Sequence, residues 1–410
     1  MERIALKVQR RCYSRAAVYE VAIHYKIQRT AGPRGGIVGL REAFLHDGHV
    51  CMAFDRHGRS LSRALRRGPL PPARARRTAC VLAEALDRMH RCGYAHTDVK
   101  PGNILYDPRT GVACLADLGC ADAELREGIR PGTRDYLSPE ILLGSPLAPS
   151  LDLWSLGCTV FEMLAGAPLF DPWREAGKKY REFSKGVDRV EVPLGEEELR
   201  DRAEEKAEQL ASGDVVAGKY RVLRVLGGGR FGTVWDAQRI SDAVLDGTYD
   251  TLWTHAQRTT DAEPPETDRE SADHRWRHAK GASDLLELVL NYEHVLLIAA
   301  LRGAFPPAMI EAARFRASYF ESDGALRFRP GIRPASLREK LRRRTTLRGG
   351  ALDLAEDFLG ALLQVDPATR PTAAAALAHP WLAAADFRGA SGANLPARTT
   401  PVRTREKIRE

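Results

Sequence analysis

The stretch that most constrains this chain is Tyr94-Ala95-His96-Thr97-Asp98-Val99-Lys100-Pro101-Gly102-Asn103-Ile104-Leu105, followed by a strand-like run over 112–116 and then Asp117-Leu118-Gly119. Ahead of it, Val81, Leu82, Ala85, Leu86 and Met89 recur at helical spacing within 73–91, and Gly93 stands where a C-terminal glycine closes a helix. A helix, a polar loop and a short hairpin in that order bring Asp98, Asn103 and Asp117 towards one point. Their chemistry suits a metal-bound phosphate: Asp98 can accept a hydroxyl proton, while Asn103 and Asp117 offer the hard oxygen atoms that Mg²⁺ prefers. Lys100 can steady a phosphoryl group in transfer.

The chain has 410 residues, 44% hydrophobic and 28% charged, which suits one two-lobed domain with insertions or two or three small domains and excludes a fibrous or wholly disordered protein. The longest apolar run, over 295–301, is too short to cross a bilayer, and the first residues lack a secretory signal, so an intracellular protein of the cytoplasm or nucleus is expected. Seven scattered cysteines without a CxxC pair read as reduced thiols. The formal charge of +8 is spread along the chain with no aromatic-interleaved basic repeat, so a solvated basic surface is expected and a nucleic-acid partner is not.

Alternation around Ile4, Leu6 and Val8 predicts a strand over 2–9, a helical pattern follows over 14–28, and 49–54 predicts a second strand. Another helix is expected over 151–165, ending at Gly166. Polar residues dominate 174–213, with a solvated helix near 196–210, and 255–283 reads as a linker; apolar helical patterning returns from Leu285 to Trp381. His274 and His278 read as part of a charge run, Thr400-Pro401 as an unremarkable tail feature, and His24 as a surface or half-buried residue.

With these residues set out, the chain resembles the eukaryotic protein kinases. HTDVKPGN is similar to their catalytic loop and Asp117-Leu118-Gly119 to their metal-binding triplet. Ile4-Ala5-Leu6-Lys7 resembles the strand whose lysine holds the α- and β-phosphates, with Glu20 as its ion-pair partner. Phe54 and Asp55 stand at the gatekeeper and hinge. Ser138-Pro139-Glu140, Asp152 at the head of a helix, and Arg370 match supporting positions, as does His96. Within the kinases, the segments 294–306 and 315–326 resemble the insert of the CMGC group, nearest to the SR-protein kinases and Clk-type kinases, although Leu137 replaces an expected arginine.

The resemblance implies an α+β bilobal fold, with a small β-rich lobe and a larger helical lobe clasping ATP and Mg²⁺, and serine/threonine protein kinase activity in a monomer. It implies a protein substrate, with Arg/Ser-rich sequences as one class. Asp98 and Lys100 would be catalytic, Lys7, Glu20, Ala5, Phe54 and Asp55 would bind ATP, Asn103 and Asp117 would hold the metal, and His96, Glu140, Asp152 and Arg370 would brace the site. Thr97 replaces the arginine that usually grips a phosphorylated activation loop, so activity without loop phosphorylation is expected.

A glycine-rich hairpin is expected before the lysine strand, yet the matching sequence lies far downstream. Residues 220–235 carry Gly227, Gly229, Gly232 and Val234 in a GxGxFGxV pattern between two strand-like runs. The implied domain plan is a first lobe over 1–57, helical lobe over 58–173, an insertion over 174–283 carrying the hairpin 219–238, further helical lobe over 284–386, and a basic tail over 387–410. The hairpin is expected to dock on the strand 4–8, burying Val222, Leu223, Val225 and Val234. The alternatives are a misassembled reading frame or a pseudokinase scaffold.

Overall fold

A computed structural model describes residues 2–31, 36–125, 131–172, 210–229, 232–243, 245, 251–252, 254, 282–327, 334 and 336–383. The expected helix over 196–210 apart from its last residue, most of the linker over 255–283, His274, His278, Phe231 and the tail over 387–410 lie outside these residues.

The alternating strand is present as β1 (Arg3–Gln9), and the helix after it, α1, runs over Ser14–Ala31. An antiparallel pair follows, β2 (Leu40–His46) and β3 (His49–Asp55); β2 was not expected, because a bulge between Leu40 and Glu42 breaks its alternation. Later in the chain come β7 (Val215–Val216), β8 (Tyr220–Gly229) and β9 (Gly232–Arg239). The six strands form one sheet in the order β2-β3-β1-β9-β8-β7. The downstream hairpin thus completes the upstream sheet, with β9 pairing antiparallel to β1 from Arg3 opposite Gln238 to Gln9 opposite Gly232.

Several interactions hold the hairpin in that place. Val216, Tyr220, Val222 and Ala237 are buried with Ile4, Leu6, Phe44, Cys51 and Ala53, and the Phe44 and Tyr220 rings stack at 5.9 Å. Closing a chain of about 50 residues costs on the order of 3–4 kcal/mol. Burying valine and tyrosine side chains returns about 1.5–3 kcal/mol each, so docking is favoured. Lys219 Nζ sits 2.8 Å from Glu42 on β2, and the Tyr220 hydroxyl bonds the same carboxylate. Asp236, fully buried on β9, receives Arg56 Nε at 3.2 Å and Arg224 Nε at 3.1 Å and also binds Arg3. These three guanidiniums hold its carboxyl below the usual range although burial alone would raise it. The expected burial of this segment needs correcting: Val222 is buried, Leu223 and Val234 are half-buried, and Val225 is 53% exposed. Register shifts between Val222 and Arg224 and between Val225 and Gly227 break the alternation of β8, and Val225 lines the cleft instead of joining the core.

The second lobe opens with the short helix α2 (Leu61–Leu65) and is built on α3 (Pro72–Arg91) and α5 (Leu151–Ala165), with the short α4 (Pro139–Leu143) between them. Every residue of α5 from Leu151 to Leu164 is buried, and Trp154 stacks on Phe170 at 5.8 Å. Positive φ at Gly93 (84°) and Gly166 (71°) turns the chain out of both helices, as the sequence leads one to expect. Three short strands form a small sheet in the order β4 (Arg59–Ser60), which precedes α3, then β5 (Ile104–Tyr106) and β6 (Ala113–Leu115), which follow it. The helix Ala282–Arg302 and the helices from Pro307 to Ala383 complete the lobe around one apolar core. Leu137, at the position expected for arginine, is buried in that core. Among the described residues no helix is long and apolar enough to cross a membrane.

Candidate active site

The two lobes face each other across a cleft of about 680 Å³ lined by Ala5, Lys7, Phe54, Asn103, Asp117 and Val234, among others. From the upper side, β1 presents Ala5 and Lys7, which lie opposite Asp236 and Val234 on β9 and share their face. Lys7 Nζ donates to both oxygens of Glu20, at 2.9 and 2.8 Å, and to Asp117 Oδ1 at 3.0 Å. Glu20 is 1% exposed on α1, so the salt bridge fixes the lysine rather than decorating the surface. Burial alone would lower the Lys7 pKa, but Glu20 and then Asp117 hold it above the ordinary lysine range. Asp117 lies below the usual carboxylate range, because the Lys7 ammonium outweighs its burial. Burial raises Glu20, and Lys7 only partly offsets that.

From the lower side, the loop between α3 and β5 delivers Asp98, Lys100 and Asn103. Asp152, fully buried at the start of α5, fixes this loop by accepting the backbone N–H groups of His96 and Thr97, each at 2.8 Å. His90 Nε2 lies 2.8 Å from the same carboxylate, a support the sequence pattern did not single out because it sits on the helix before the motif. His96 Nδ1 accepts the Asp98 N–H at 3.2 Å, which leaves its Nε2–H to donate to the Ala116 carbonyl at 3.2 Å. One histidine thereby ties the Asp98 loop to the strand that carries Asp117.

Asp98 is held on three sides. Asn103 Nδ2 donates to Asp98 Oδ2 at 2.9 Å, Lys100 Nζ lies 2.6 Å from that oxygen, and Thr133 Oγ1 donates to Asp98 Oδ1 at 2.8 Å. Lys100 also reaches Thr133 Oγ1 at 2.5 Å. Thr133 is a contact that sequence reasoning missed: its hydroxyl, 35 residues on, is bound to Asp98 as an acceptor hydroxyl would be. Thr97 and Asp117 have φ of 67° and 64°, a left-handed conformation that costs of order 1–3 kcal/mol in a residue with a side chain. Leu118, buried in the helical core, anchors the chain next to Asp117, and Gly119 leaves room for the salt bridge: a Cβ there would lie 3.3 Å from Glu20 Oε2.

The residues fit a magnesium-bound nucleotide. Asn103 spends its amide nitrogen on Asp98, which leaves Oδ1 available. Asp117 uses only Oδ1 on Lys7, and its side chain is 42% exposed to the cleft. Two hard oxygen atoms are thus presented beside the lysine. At the outer end the cleft is walled by Val38, Phe54, Leu105, Ala116, Val225 and Leu226, an apolar slot for a planar base. Asp55 lines the cleft, but its carboxylate is engaged by Arg41 Nε at 2.6 Å, so only its backbone is left for the ligand. His57, two residues further along, lines the same wall and was not expected there.

The glycines differ in their reasons. At Gly227 nothing lies within 4 Å of an added Cβ, whereas a Cβ at Gly232 would meet the Val8 carbonyl at 2.2 Å. Gly232 is therefore required by the close approach of β9 to β1, and Gly227 leaves open space over the cleft. Gly229 pairs with Gly232 at the end of the hairpin. The supporting pair Glu140 and Arg370 forms a bidentate bridge of 2.6 and 2.6 Å, with both side chains fully buried. His24 is buried, 2% exposed, its ring 5.2 Å from that of Phe54, so the surface or half-buried position expected for it is wrong; burial drives its pKa down to about 3 and keeps it a neutral packing group. Burial likewise pushes the Cys120 thiol near the site up to about 11, which removes it as a nucleophile.

Thr97, 2% exposed, donates Oγ1 to the Cys120 carbonyl at 2.6 Å, fastening the loop to the segment after Asp117 without any phosphate. Treating the purified protein with phosphatase is expected to leave its phosphoryl-transfer rate within about twofold. A fall of tenfold or more would show that a phosphorylated loop is needed.

Residues 2–213, just over half of the chain, match the sequence family described as "Protein kinase domain". Among curated proteins, the serine/threonine-protein kinase prp4 of Schizosaccharomyces pombe is 33% identical over 160 residues, 37% of this chain and 33% of that protein. The serine/threonine-protein kinase AFC3 of Arabidopsis thaliana is 31% identical over 199 residues, 41% of this chain and 50% of the relative. A putative cyclin-dependent kinase F-2 of Oryza sativa subsp. japonica is 41% identical over 136 residues, 31% of this chain and 41% of the relative. The matched regions span a third to a half of the length of these relatives. They agree with the expected likeness to CMGC kinases.

Proposed function

The chain belongs to the protein kinase domain family, and from that premise we propose that it is a serine/threonine protein kinase that transfers the γ-phosphoryl group of ATP to protein hydroxyls. The observation that carries this reading is the convergence of Lys7, Asp98, Asn103 and Asp117 on one cleft, each with its support in place. Mg²⁺, held by Asn103 and Asp117, would neutralise charge on the phosphates. Lys7, kept charged by Glu20, binds and orients the α- and β-phosphates. Gly227, Gly229 and Gly232 allow the hairpin backbone to close over them.

Asp98 then orients the acceptor hydroxyl and takes its proton at Oδ1, the oxygen that the Thr133 hydroxyl addresses in this structure. Lys100 stabilises charge on the group in flight, and Asp152 and His96 keep the loop rigid. A scaffold without turnover would be expected to lack Lys7, Asp98, Asp117 or the hairpin, and this chain has all four. Free thiols throughout the described chain suit a reducing, intracellular compartment, and a single copy carries the whole set, which fits a monomer. The resemblance to SR-protein kinases points to Arg/Ser-rich acceptors, a class that rests on that resemblance alone.

The test is incubation of the full chain with γ-labelled ATP, Mg²⁺ and a mixed protein acceptor, followed by phosphoamino-acid analysis. Phosphoserine and phosphothreonine are the expected products. No incorporation, or phosphotyrosine alone, would overturn the assignment.

A further inference from the structure

Below the outer end of the cleft, a groove of about 710 Å³ runs between the loop 56–60, the helix Leu61–Leu65 and the turn joining β5 to β6. It is continuous with the nucleotide cleft, since Arg56, His57, Gly58, Arg59, Ser60 and Arg63 line both. Its rim is crowded with positive charge. Arg59, Arg63 and Arg67 are exposed along it, and Arg66 is exposed at the cleft mouth. None of these four forms an ion pair among the described residues. The one carboxylate in the groove, Asp107, accepts the backbone N–H of Arg109 and lies 3.8 Å from that residue's Nε, so it pairs with none of the four.

Four unpaired guanidiniums within nine residues repel one another: Arg59 foremost, then Arg66 and Arg67, holds Arg63 below the ordinary arginine range. A fold does not gain stability from such an arrangement, but an anionic ligand does, through bidentate carboxylate contacts. The ligand class follows from what else the groove contains. Bases of a nucleic acid need a run of open aromatic faces to stack on, and of the groove's two aromatic side chains Tyr106 is 1% exposed and His57 is half-buried at the border with the nucleotide cleft. The rim supplies instead an exposed valine, Val112, beside the arginines, as an extended peptide with alternating side chains would use.

We propose that this groove docks an acidic segment of the protein substrate, so that the preferred acceptors carry Glu or Asp runs near the phosphorylated residue rather than arginines. The inference rests on the kinase reading of the cleft and narrows its substrate class. It runs against the Arg/Ser-rich class, because arginine side chains brought to this rim would meet like charge at short range.

The test uses the full chain and three fluorescein-labelled probes of equal length: a Ser acceptor flanked by eight glutamates, an Arg/Ser repeat, and oligouridylate RNA. Anisotropy titrations should show tightest binding of the glutamate peptide, weakening steeply as NaCl rises from 50 to 500 mM. The double substitution Arg63→Glu with Arg67→Glu should weaken that binding at least tenfold and raise KM for the glutamate peptide similarly. Arg67→Glu alone, which lines the groove and not the cleft, should leave nucleotide affinity within twofold while weakening peptide binding in the same direction. Arg63→Ala with Arg67→Ala, the milder pair, should give a smaller loss in the same direction. Tighter binding of either other probe, or glutamate binding unchanged by both double variants, would overturn the proposal. Binding is read without turnover, so a chain that binds the peptide yet transfers no phosphate would sink the kinase reading and leave the docking groove standing.

Discussion

Replacing Asp98 with alanine lowers kcat for phosphoryl transfer by about 10³-fold, within the range attributed to a positioned general base. The loss is expected to fall on kcat rather than on the KM for ATP, because Asp98 faces the acceptor and contacts Lys100, Asn103 and Thr133 rather than Lys7 or Asp117. The fold should survive. Asp152, not Asp98, holds the backbone of the loop, and the side chain removed is small. Initial rates with labelled ATP, alongside thermal melts of both proteins, check this. A variant within threefold of wild-type activity would mean that Asp98 is not the base.

The largest stability effect is expected from Arg370→Ala. Arg370 joins Glu140 across 230 residues of sequence with both charges fully buried, and it also donates to the carbonyls of Gln364, Val365 and Ser150. Its guanidinium lies 5.2 Å from the Trp154 ring, over the central helix α5. Truncation leaves the Glu140 carboxylate buried without its partner, which costs about 3–5 kcal/mol. Arg370→Lys should recover little, since an ammonium cannot reproduce two parallel bonds to one carboxylate together with three to carbonyls. Denaturant titrations measure both variants. A loss below about 1 kcal/mol for the alanine variant would show that the pair is not a keystone of the helical lobe.

Much of this site was legible in the sequence because its residues must be particular types at fixed spacing. Asp98 and Asn103 are close in sequence, so local geometry alone brings them together, and Glu20 lies on the helix directly after the Lys7 strand. The hairpin was legible for a different reason: glycines flanked by alternating strands have few other uses, even in an unexpected place in the chain. What the sequence withheld depends on contacts made only after folding. Thr133 reaches Asp98 from a distant loop, His90 reaches Asp152 from the preceding helix, and Asp236 finds three arginines from three separate strands or loops. Nothing in the local pattern of any of these marks them. Strand β2 was hidden by its bulge, and His24 looked tolerable at the surface until the sheet placed Phe54 against it. Gly232, expected for the close approach of backbone to phosphate, is required instead by its contact with β1.

The central claim is that a hairpin from residues 220–239 and the Lys7–Asp117 centre form one site for magnesium-bound ATP. Its most direct test is titration with a fluorescent ATP analogue in wild type and in Gly232→Val, whose side chain would collide with the Val8 carbonyl and lift the hairpin from β1. Saturable binding that is lost on chelating Mg²⁺ and weakened at least tenfold by Gly232→Val is the predicted result. Wild-type protein that fails to bind the nucleotide, or a Gly232→Val variant that binds it as tightly as wild type, would contradict the account.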